Sequence, residues 1–179
     1  MNGSAYDVIV AGLGAWGSAA AYHLARRGKR VLGIDRYRPP HTFGSSHGQG
    51  RVIRLASPES PLYTPIQQRA YELWADLERE CGRRLITEVG GLYIGGEGSE
   101  IIDGSMASYT GTSIAHELLT AGEIRRRHPE FVVHNDELAV WEPGAGMIQP
   151  ESCLTAHLEG AAKAGAELRF DEPVSGWRV

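Results

Sequence analysis

Two short apolar runs near the start of the chain flank a segment with helical character. Residues 6–11 (Y-D-V-I-V-A) and 30–35 (R-V-L-G-I-D) are mostly aliphatic, which predicts two strands buried on both faces. The alanine-rich residues 15–27 between them predict a helix, and Gly28 stands where such a helix would end. A strand–helix–strand unit of this kind forms a right-handed crossover connection, so the two strands are predicted to be parallel.

The next segments alternate between loop and regular structure. Several prolines and glycines interrupt residues 36–65, which predicts a long loop. Pro65 suits the first position of a helix, and apolar residues at helical spacing over 66–80 predict a core-facing helix that ends at Gly82. We also expect a strand within residues 85–94 and, from its glycines and acidic residues, a linker or turn over 95–104.

The second half of the chain continues the alternation. Thr120 and Glu123 form the pattern of a capping box, which predicts a short helix that runs to Arg127. Further along we expect a strand at 138–142, a turn at 143–146, a helix at 150–165 and strands at 167–170 and from Val174 onward. Because the last of these strands has only begun when the sequence stops at Val179, we expect an incomplete domain.

Composition narrows the function classes. Of the 179 residues, 42% are hydrophobic and 22% charged, a balance typical of a globular protein rather than a disordered or membrane-embedded one. The 18 basic and 22 acidic side chains give a net charge of −4, which is the wrong sign for nucleic-acid binding. The apolar stretch at 8–21 is too short to span a bilayer and follows no basic segment. We therefore expect a cytoplasmic protein with a small-molecule substrate.

The two cysteines form no recognisable site. Cys81 and Cys153 lie far apart, form no C-x-x-C pair and have no histidine at a metal-ligand spacing. Neither a disulfide framework nor a zinc site is indicated, and both side chains are expected to be reduced packing residues. No metal is predicted.

The strongest chemical signal is the turn after the first predicted strand, G-L-G-A-W-G. Gly12 permits a tight turn, Gly14 lets the backbone approach a pyrophosphate, and Gly17 lets helix and strand pack closely. The helix that begins there presents its N-terminus to an anion. Because the glycines lie between a strand and a helix, the pattern predicts a dinucleotide-binding site.

An acidic residue completes this motif. Asp35 ends the second predicted strand, where a carboxylate can bind a ribose hydroxyl and repel a 2′-phosphate, so NADP is disfavoured. Spacing alone leaves FAD and NAD both open. The position of the motif, ahead of a long loop with arginines and histidines, favours FAD.

That loop is more distinctive than the glycines. Residues 36–54 read R-Y-R-P-P-H-T-F-G-S-S-H-G-Q-G-R-V-I-R. With the glycine motif they resemble the N-terminal part of the monomeric sarcosine oxidase and N-methyltryptophan oxidase group, within the D-amino-acid-oxidase-like flavoenzymes. The stretches E-L-W-x-x-L-E, G-G-L-Y-I-G and W-E-P-G-A-G-M-I-Q-P-E-S-C-L extend the resemblance along the chain. It implies an α/β fold: a Rossmann-like FAD-binding domain with a parallel sheet and helices, plus the beginning of an α+β substrate domain.

The resemblance assigns roles to individual residues. Those matched to FAD-binding positions are Gly12, Gly14, Gly17, Asp35, Arg36, His41, Gly44, Ser45, Ser46, Arg51, Val52 and Val174. His47 and Arg51 match positions beside the flavin ring, where a cation stabilises reduced flavin. Arg54 matches the arginine that pairs with the substrate carboxylate, a role that its planar guanidinium suits. The candidate catalytic residues are therefore His47, Arg51 and Arg54.

The resemblance also implies a domain organisation. Residues 1–82 match the FAD-binding part, 83–149 begin the substrate domain and 150–179 return to the FAD-binding domain. The C-terminal half of the family supplies further strands, most of the substrate domain, the cysteine that holds the flavin, and lysines for oxygen activation and carboxylate binding. We expect this half to be missing from the chain, which looks truncated, and the isolated piece to be inactive. Cys153 does not match the flavin-linking cysteine.

The implied reaction is oxidation of an N-methyl or other secondary amino acid. Arg54 would hold the carboxylate while a hydride equivalent passes to the flavin, the imine would hydrolyse, and O2 would reoxidise the flavin to give H2O2. Sarcosine would yield glycine and formaldehyde. Three alternatives stay open: a flavin dehydrogenase with another electron acceptor, an NAD-dependent dehydrogenase, which the loop motif disfavours, and a non-catalytic, truncated nucleotide-binding module that needs a partner chain.

Overall fold

A computed structural model of the chain describes residues 5–178. They divide into two compact units. The first contains the described parts of residues 1–51 and 149–179 together with Leu77–Leu85, and the second contains Val52–Asp76 and Ile86–Ile148. The assignment of chain segments to an FAD-binding and a substrate domain stays a prediction.

A parallel three-stranded sheet is the framework of the first unit. Its strands are β1 (Val8–Ala11), β2 (Val31–Ile34) and β9 (Glu167–Arg169), with β2 in the centre. Helix α1 (Ala15–Arg26) connects β1 to β2, so the predicted parallel strand–helix–strand unit is confirmed. Helix α5 (Pro150–Lys163) precedes β9, also as predicted.

The two helices of this sheet pack against each other through small residues. Helix α1 ends as predicted because Gly28 adopts a φ of +74°, which a glycine reaches without steric cost. The Tyr22 ring of α1 lies against Gly160 of α5, where an added Cβ would come within 2.7 Å of the ring. The tyrosine therefore lies in a groove that only a glycine leaves open.

Two strand predictions fail in the first unit. The prediction that β1 is buried on both faces is wrong, because β1 lies at the edge of the sheet over the described residues and Ile9 is 61% exposed. The strand predicted from Val174 is also wrong, since residues 171–178 adopt no regular structure. The chain leaves the sheet after β9, and the last backbone bond to this region runs from the Glu172 N–H to the Asp35 carbonyl.

A buried histidine at the contact between α1 and α5 makes the stability of the first unit depend on pH. His157 of α5 is 6% exposed, and its ring centre lies 5.3 Å from that of Tyr22 and 6.1 Å from that of His23. Burial, with a smaller effect of His23, lowers the pKa of His157 from 6.5 to about 4. The folded state therefore disfavours a charged imidazole that the unfolded chain accepts.

We expect this histidine to destabilise the fold in mild acid. Between pH 6.5 and 4 the unfolded chain binds a proton that folded His157 does not, so the free energy of unfolding falls by about 3 kcal/mol as the pH drops. Chemical unfolding of His157→Leu at several pH values should lack this loss, whereas His134→Leu, at an exposed position, should keep it. The same slope in the His157 variant as in the unaltered chain would contradict the assignment.

The second unit is built on antiparallel strands. One sheet has the order β5–β7–β6, made from Gly91–Gly96, Glu137–Glu142 and Glu117–Thr120. The other has the order β3–β8–β4, in which Arg51–Ile53, Gly146–Ile148 and Ile86–Glu88 take part. The remaining helices of the described chain are α2 (Thr64–Cys81), α3 (Glu100–Tyr109) and α4 (Ala121–Arg127).

The helices predicted in this region from patterns of neighbouring residues are confirmed. The Thr120 side chain accepts the Glu123 N–H while the Glu123 carboxylate accepts the Thr120 N–H, so the predicted capping box exists and begins α4. Helix α2 covers the predicted segment and buries Leu77. Its first turn was predicted to face the core, but Ile66 is 65% exposed.

Two glycines of this unit explain where the structure differs from the predictions. The single strand expected within 85–94 is two strands, because Gly90 turns the chain at a φ of +80° against the face of Trp141. The linker or turn expected over 95–104 is limited to residues 97–99, because β5 continues to Gly96 and α3 begins at Glu100. Gly104 lies inside that helix. A glycine is required there because an added Cβ would come within 2.1 Å of the Pro58 carbonyl oxygen. It is a packing glycine rather than a turn glycine.

Helix α3 closes a core over the β5–β7–β6 sheet. Ile102 and Tyr109 of the helix are buried with Tyr93 and Val140 of the strands. Leu55 and Ala56, which follow β3, pack on the same cluster. The backbone directly after Arg54 is therefore part of the core of the second unit.

Candidate functional site

The glycine turn of the first unit has the close approach that the sequence predicted. Gly12 has a φ of +91°, and its N–H donates to the Ile34 carbonyl, 2.8 Å away. An added Cβ on Gly17 would lie 1.8 Å from the Gly12 carbonyl oxygen, and one on Gly14 would lie 3.2 Å from Ser46 Oγ. The turn thus leaves space for no side chain at Gly17 and little at Gly14.

Asp35 is joined to this turn by hydrogen bonds. Its Oδ2 accepts the Leu13 N–H at 2.6 Å and its Oδ1 accepts the Tyr37 N–H at 2.9 Å. His41 Nε2 lies 3.5 Å from the same Oδ1. The residue is 8% exposed, and each oxygen still has a lone pair available. Asp35 therefore fixes the glycine turn and can accept a further hydroxyl.

The loop after β2 is held in shape by its own backbone. The Arg51 guanidinium donates to the carbonyls of Ser45 (2.8 Å), His47 (2.9 Å) and Gly50 (2.8 Å). His47 Nδ1 lies 2.6 Å from the Gly44 carbonyl oxygen. Two further bonds connect the loop to helix starts: Ser46 Oγ accepts the Ala15 N–H at 3.0 Å, and Glu151 accepts the Gly48 N–H at 2.9 Å.

These parts surround one cleft of about 650 Å³ in the first unit. The sequence-predicted residues that line it are Gly12, Gly14, Gly17, Asp35, Arg36, His41, Gly44, Ser45 and Ser46. Lining residues that sequence reasoning missed include Trp16, Tyr37 and Leu154. A tryptophan inside a glycine motif was the signal that could have identified the first of these.

The other predicted residues lie elsewhere. His47 and Arg51 take part in the loop contacts described above and do not line this cleft. Val52 and Val174 are 75% and 51% exposed and also lie outside it. Arg54 belongs to the second unit.

Arg54 is surrounded by residues of its own unit. Its Nη2 donates to both oxygens of Glu59 at 2.8 Å and to Ser57 Oγ at 3.1 Å. Its Cζ lies 5.9 Å from the centre of the Tyr93 ring. A hydrogen bond from Ser57, a backbone N–H and the Arg54 guanidinium together lower the pKa of Glu59 to about 2. Arg54 thus already holds one carboxylate, whose side chain is 59% exposed.

A buried carboxylate fixes the backbone next to Arg54. Glu142 of β7 is fully buried and accepts the Leu55 N–H at 2.7 Å, the Ala56 N–H at 3.3 Å and the Tyr109 hydroxyl at 2.6 Å. Burial and this carboxylate raise the pKa of Tyr109 well above its ordinary value. Sequence reasoning missed the role of Glu142, although its W-E-P-G context was noted as part of the resemblance.

A model of the FAD dependent oxidoreductase family, DAO, matches residues 7–179. The chain belongs to this family. The predicted resemblance and the predicted α/β class with a parallel sheet are therefore both confirmed.

Curated relatives of this chain include amino-acid oxidases. The monomeric sarcosine oxidase of Streptomyces avermitilis is 48% identical over 172 residues, which cover 96% of this chain and 45% of that protein. The N-methyl-L-tryptophan oxidase of Yersinia pestis is 34% identical over 170 residues, which cover 95% of this chain and 46% of that protein. The chain thus spans slightly less than half the length of these relatives.

A solved structure has a fold similar to that of this chain. NikD, an amino acid oxidase essential for nikkomycin biosynthesis, matches the chain with a TM-score of 0.77 and 34% identity. The match covers 93% of this chain and 43% of NikD. The described part of the chain therefore has a fold similar to that of the corresponding part of NikD.

The described residues form no site of three other kinds, namely a metal centre, a disulfide or a membrane-spanning helix. Over residues 5–178, no cluster of three or more histidine, cysteine, aspartate or glutamate side chains is placed to hold a metal ion. Cys81 and Cys153 are free thiols, and burial raises the pKa of Cys153 to about 12, so this thiol stays protonated. None of the described helices is long and apolar enough to cross a membrane.

Proposed function

We propose that the first unit binds FAD in the cleft beside the glycine turn. The observation that carries this proposal is the gathering of nine predicted cofactor residues around one cleft. The site also fits the chemistry of the group. The lack of a Cβ at Gly14 leaves room for a pyrophosphate at the start of α1, and Asp35 has lone pairs free for a ribose hydroxyl.

We further propose that the substrate is an N-methyl or other secondary amino acid and that Arg54 binds its carboxylate. The guanidinium of Arg54 is 28% exposed and already binds the Glu59 carboxylate. An amino-acid carboxylate presents the same two oxygens and can replace that of Glu59. Sarcosine is the leading candidate because the relative at 48% identity is a sarcosine oxidase.

The residues of the chain would then bind the amino-acid substrate and orient it toward FAD. When bound, FAD supplies a two-electron acceptor that O2 can reoxidise, with H2O2 as the second product. Arg54 fixes the carboxylate end of the amino acid, and Glu142 holds the backbone from which Arg54 projects. In this proposal Arg51 and His47 would lie beside the flavin ring, where the Arg51 cation would favour a negatively charged ring.

The FAD part of the proposal is tested on the chain itself. Titration of FAD should quench flavin fluorescence with a stoichiometry of one, and NAD should not compete. Ligands that bind the folded state also raise the unfolding temperature, which gives a second measurement. If FAD neither binds nor stabilises the chain, the proposal that the first unit binds FAD in its cleft is wrong.

The substrate part is tested on the protein encoded by the complete reading frame. With FAD bound, we expect sarcosine to drive O2 consumption and H2O2 formation, with formaldehyde as the carbon product. N-methyl-L-tryptophan serves as the bulky comparison substrate. Substrate-dependent flavin bleaching without O2 consumption would favour the dehydrogenase alternative, and no bleaching with any N-methyl amino acid would exclude the proposed substrate class.

A further inference from the structure

The first turn of α5 contacts both the cofactor cleft and the loop that follows β2. Leu154 of this helix lines the cleft. Glu151 lies three residues earlier on the same side of the helix, and its Oε1 accepts the Gly48 N–H of the loop at 2.9 Å. This turn therefore connects α5 to the segment that carries His47 and Arg51.

Gly48 has a backbone conformation that depends on its surroundings. Its φ is +106°, which a glycine adopts without steric cost but also leaves without steric cost. An added Cβ on Gly48 would lie 3.5 Å from Arg51 Nη1, so the guanidinium is close to this turn of the loop. The same guanidinium donates to the carbonyls of Ser45 and His47 on either side. The conformation of Gly48 therefore determines where the Arg51 guanidinium lies.

The bond from Glu151 to Gly48 crosses an open space. A cavity of about 370 Å³ separates the loop from the start of α5, and it is lined by Gly48, Gln49, Gln149, Glu151 and Ser152. Side chains do not fill the space beside the bond. Where packing is sparse, a segment opens easily, so a single charge-assisted hydrogen bond contributes much of the local order.

A glutamate in the first turn of a helix also has a simpler role. Its negative charge interacts favourably with the positive end of the helix dipole, and Glu151 is the acidic residue in the first turn of α5. That role needs no contact outside the helix. The bond to Gly48, which is 103 positions away in sequence, is an additional contact that the helix itself does not require.

We propose that Glu151 is a positioning residue that acts on FAD through Gly48 and Arg51. This rests on the proposed function, in which FAD binds in the cleft and Arg51 lies beside the flavin ring. The Glu151 carboxylate holds the Gly48 N–H, and Gly48 keeps its positive φ. The loop then holds the Arg51 guanidinium in one place, where a fixed cation stabilises negative charge on the flavin better than a mobile one.

The test uses sulfite as a probe of the flavin. The sulfur lone pair of sulfite forms a reversible bond to the flavin, which bleaches the ring and leaves it with a negative charge that a nearby cation stabilises. In the FAD-loaded protein encoded by the complete reading frame, Glu151→Ala should raise the sulfite Kd about fivefold, the effect of about one net hydrogen bond. Glu151→Gln keeps an acceptor for the Gly48 N–H, so its sulfite Kd should equal that of the unaltered protein or lie below it.

Three comparisons separate positioning from other roles. Loss of negative charge alone would strengthen sulfite binding, so a lower Kd in Glu151→Ala would overturn the inference. In Arg51→Gln protein, Glu151→Ala should have no further effect, because Glu151 acts through that guanidinium, and a persisting fivefold effect would also overturn it. Glu159→Ala is the matched control on the same helix. It loses an ion pair with Arg83 and should leave the sulfite Kd unchanged.

Hydrogen exchange measures the loop without FAD. Mass spectrometry of peptides covering residues 44–51 should show faster deuterium uptake in Glu151→Ala, and uptake like that of the unaltered protein in Glu151→Gln and Glu159→Ala. This result in a protein that binds no FAD would support the role of Glu151 in holding the loop while defeating the proposed function. Unchanged uptake in Glu151→Ala would overturn the inference even where FAD binds.

Discussion

Replacing Arg54 by glutamine should raise the KM for the amino-acid substrate about 100-fold or more in the active protein. Breaking a charge-assisted, bidentate bond to a carboxylate commonly has an effect of this size. The fold should survive, because the Arg54 partner in the structure, Glu59, is 59% exposed and loses little when left alone. Steady-state kinetics together with chemical unfolding measure both effects.

Two companion variants make the Arg54 prediction specific. Arg54→Lys keeps the charge but loses the fork, so its KM should lie between those of the unaltered protein and Arg54→Gln. Glu59→Gln removes a competing carboxylate while leaving Arg54 in place, and it should lower the KM several-fold. An unchanged KM in Arg54→Gln would move the carboxylate site elsewhere.

Adding one methyl group at Gly17 is expected to disable the cofactor cleft. In Gly17→Ala the new Cβ would lie 1.8 Å from the Gly12 carbonyl oxygen and 3.3 Å from the Val10 side chain, so β1 and α1 must separate. Such a backbone clash destabilises by about 3 kcal/mol or more and distorts the turn that would hold the pyrophosphate. We expect the affinity for FAD to fall by at least about 100-fold, as measured by fluorescence titration.

Other glycines supply the controls for this effect. Gly122→Ala adds a methyl group in α4 with no atom within 4 Å and should change neither stability nor FAD binding much. Gly14→Ala meets only the flexible Ser46 side chain at 3.2 Å, so it should weaken FAD binding more than it weakens the fold. A stable Gly17→Ala protein with normal FAD binding would mean that the cofactor binds away from the glycine turn.

The features that the sequence predicted correctly depend on signals between neighbouring residues. Gly28 ends α1, Thr120 and Glu123 cap α4, and Gly12 turns the chain after β1, each through geometry that a few adjacent residues determine. The failures come from contacts across the fold. Gly104 looked like a turn residue because the Pro58 carbonyl that requires it lies far away in sequence.

In the candidate site too, features that depend on neighbouring residues were predicted and features that depend on distant residues were not. The cofactor cleft was predictable because the glycine motif and the loop that follows it are contiguous in sequence. The surroundings of Arg54 were not, since Glu142 lies 87 positions from Leu55 and its acceptor role appears only when β7 packs beside the end of β3. Glu59 could have been found, because an acidic residue five positions after an arginine in a loop is within reach of it.

The hydrogen bonds of Arg51 bear on which positions of the loop can vary in sequence. All three of its acceptors, on Ser45, His47 and Gly50, are main-chain carbonyls, which every amino acid possesses. The three bonds from Arg51 therefore do not depend on which side chain stands at position 45, whereas position 47 also holds the loop through the contact of His47 Nδ1 with the Gly44 carbonyl. A randomised library at position 45 that keeps Arg51 and His47 would vary a side chain of the cleft without removing any of these contacts.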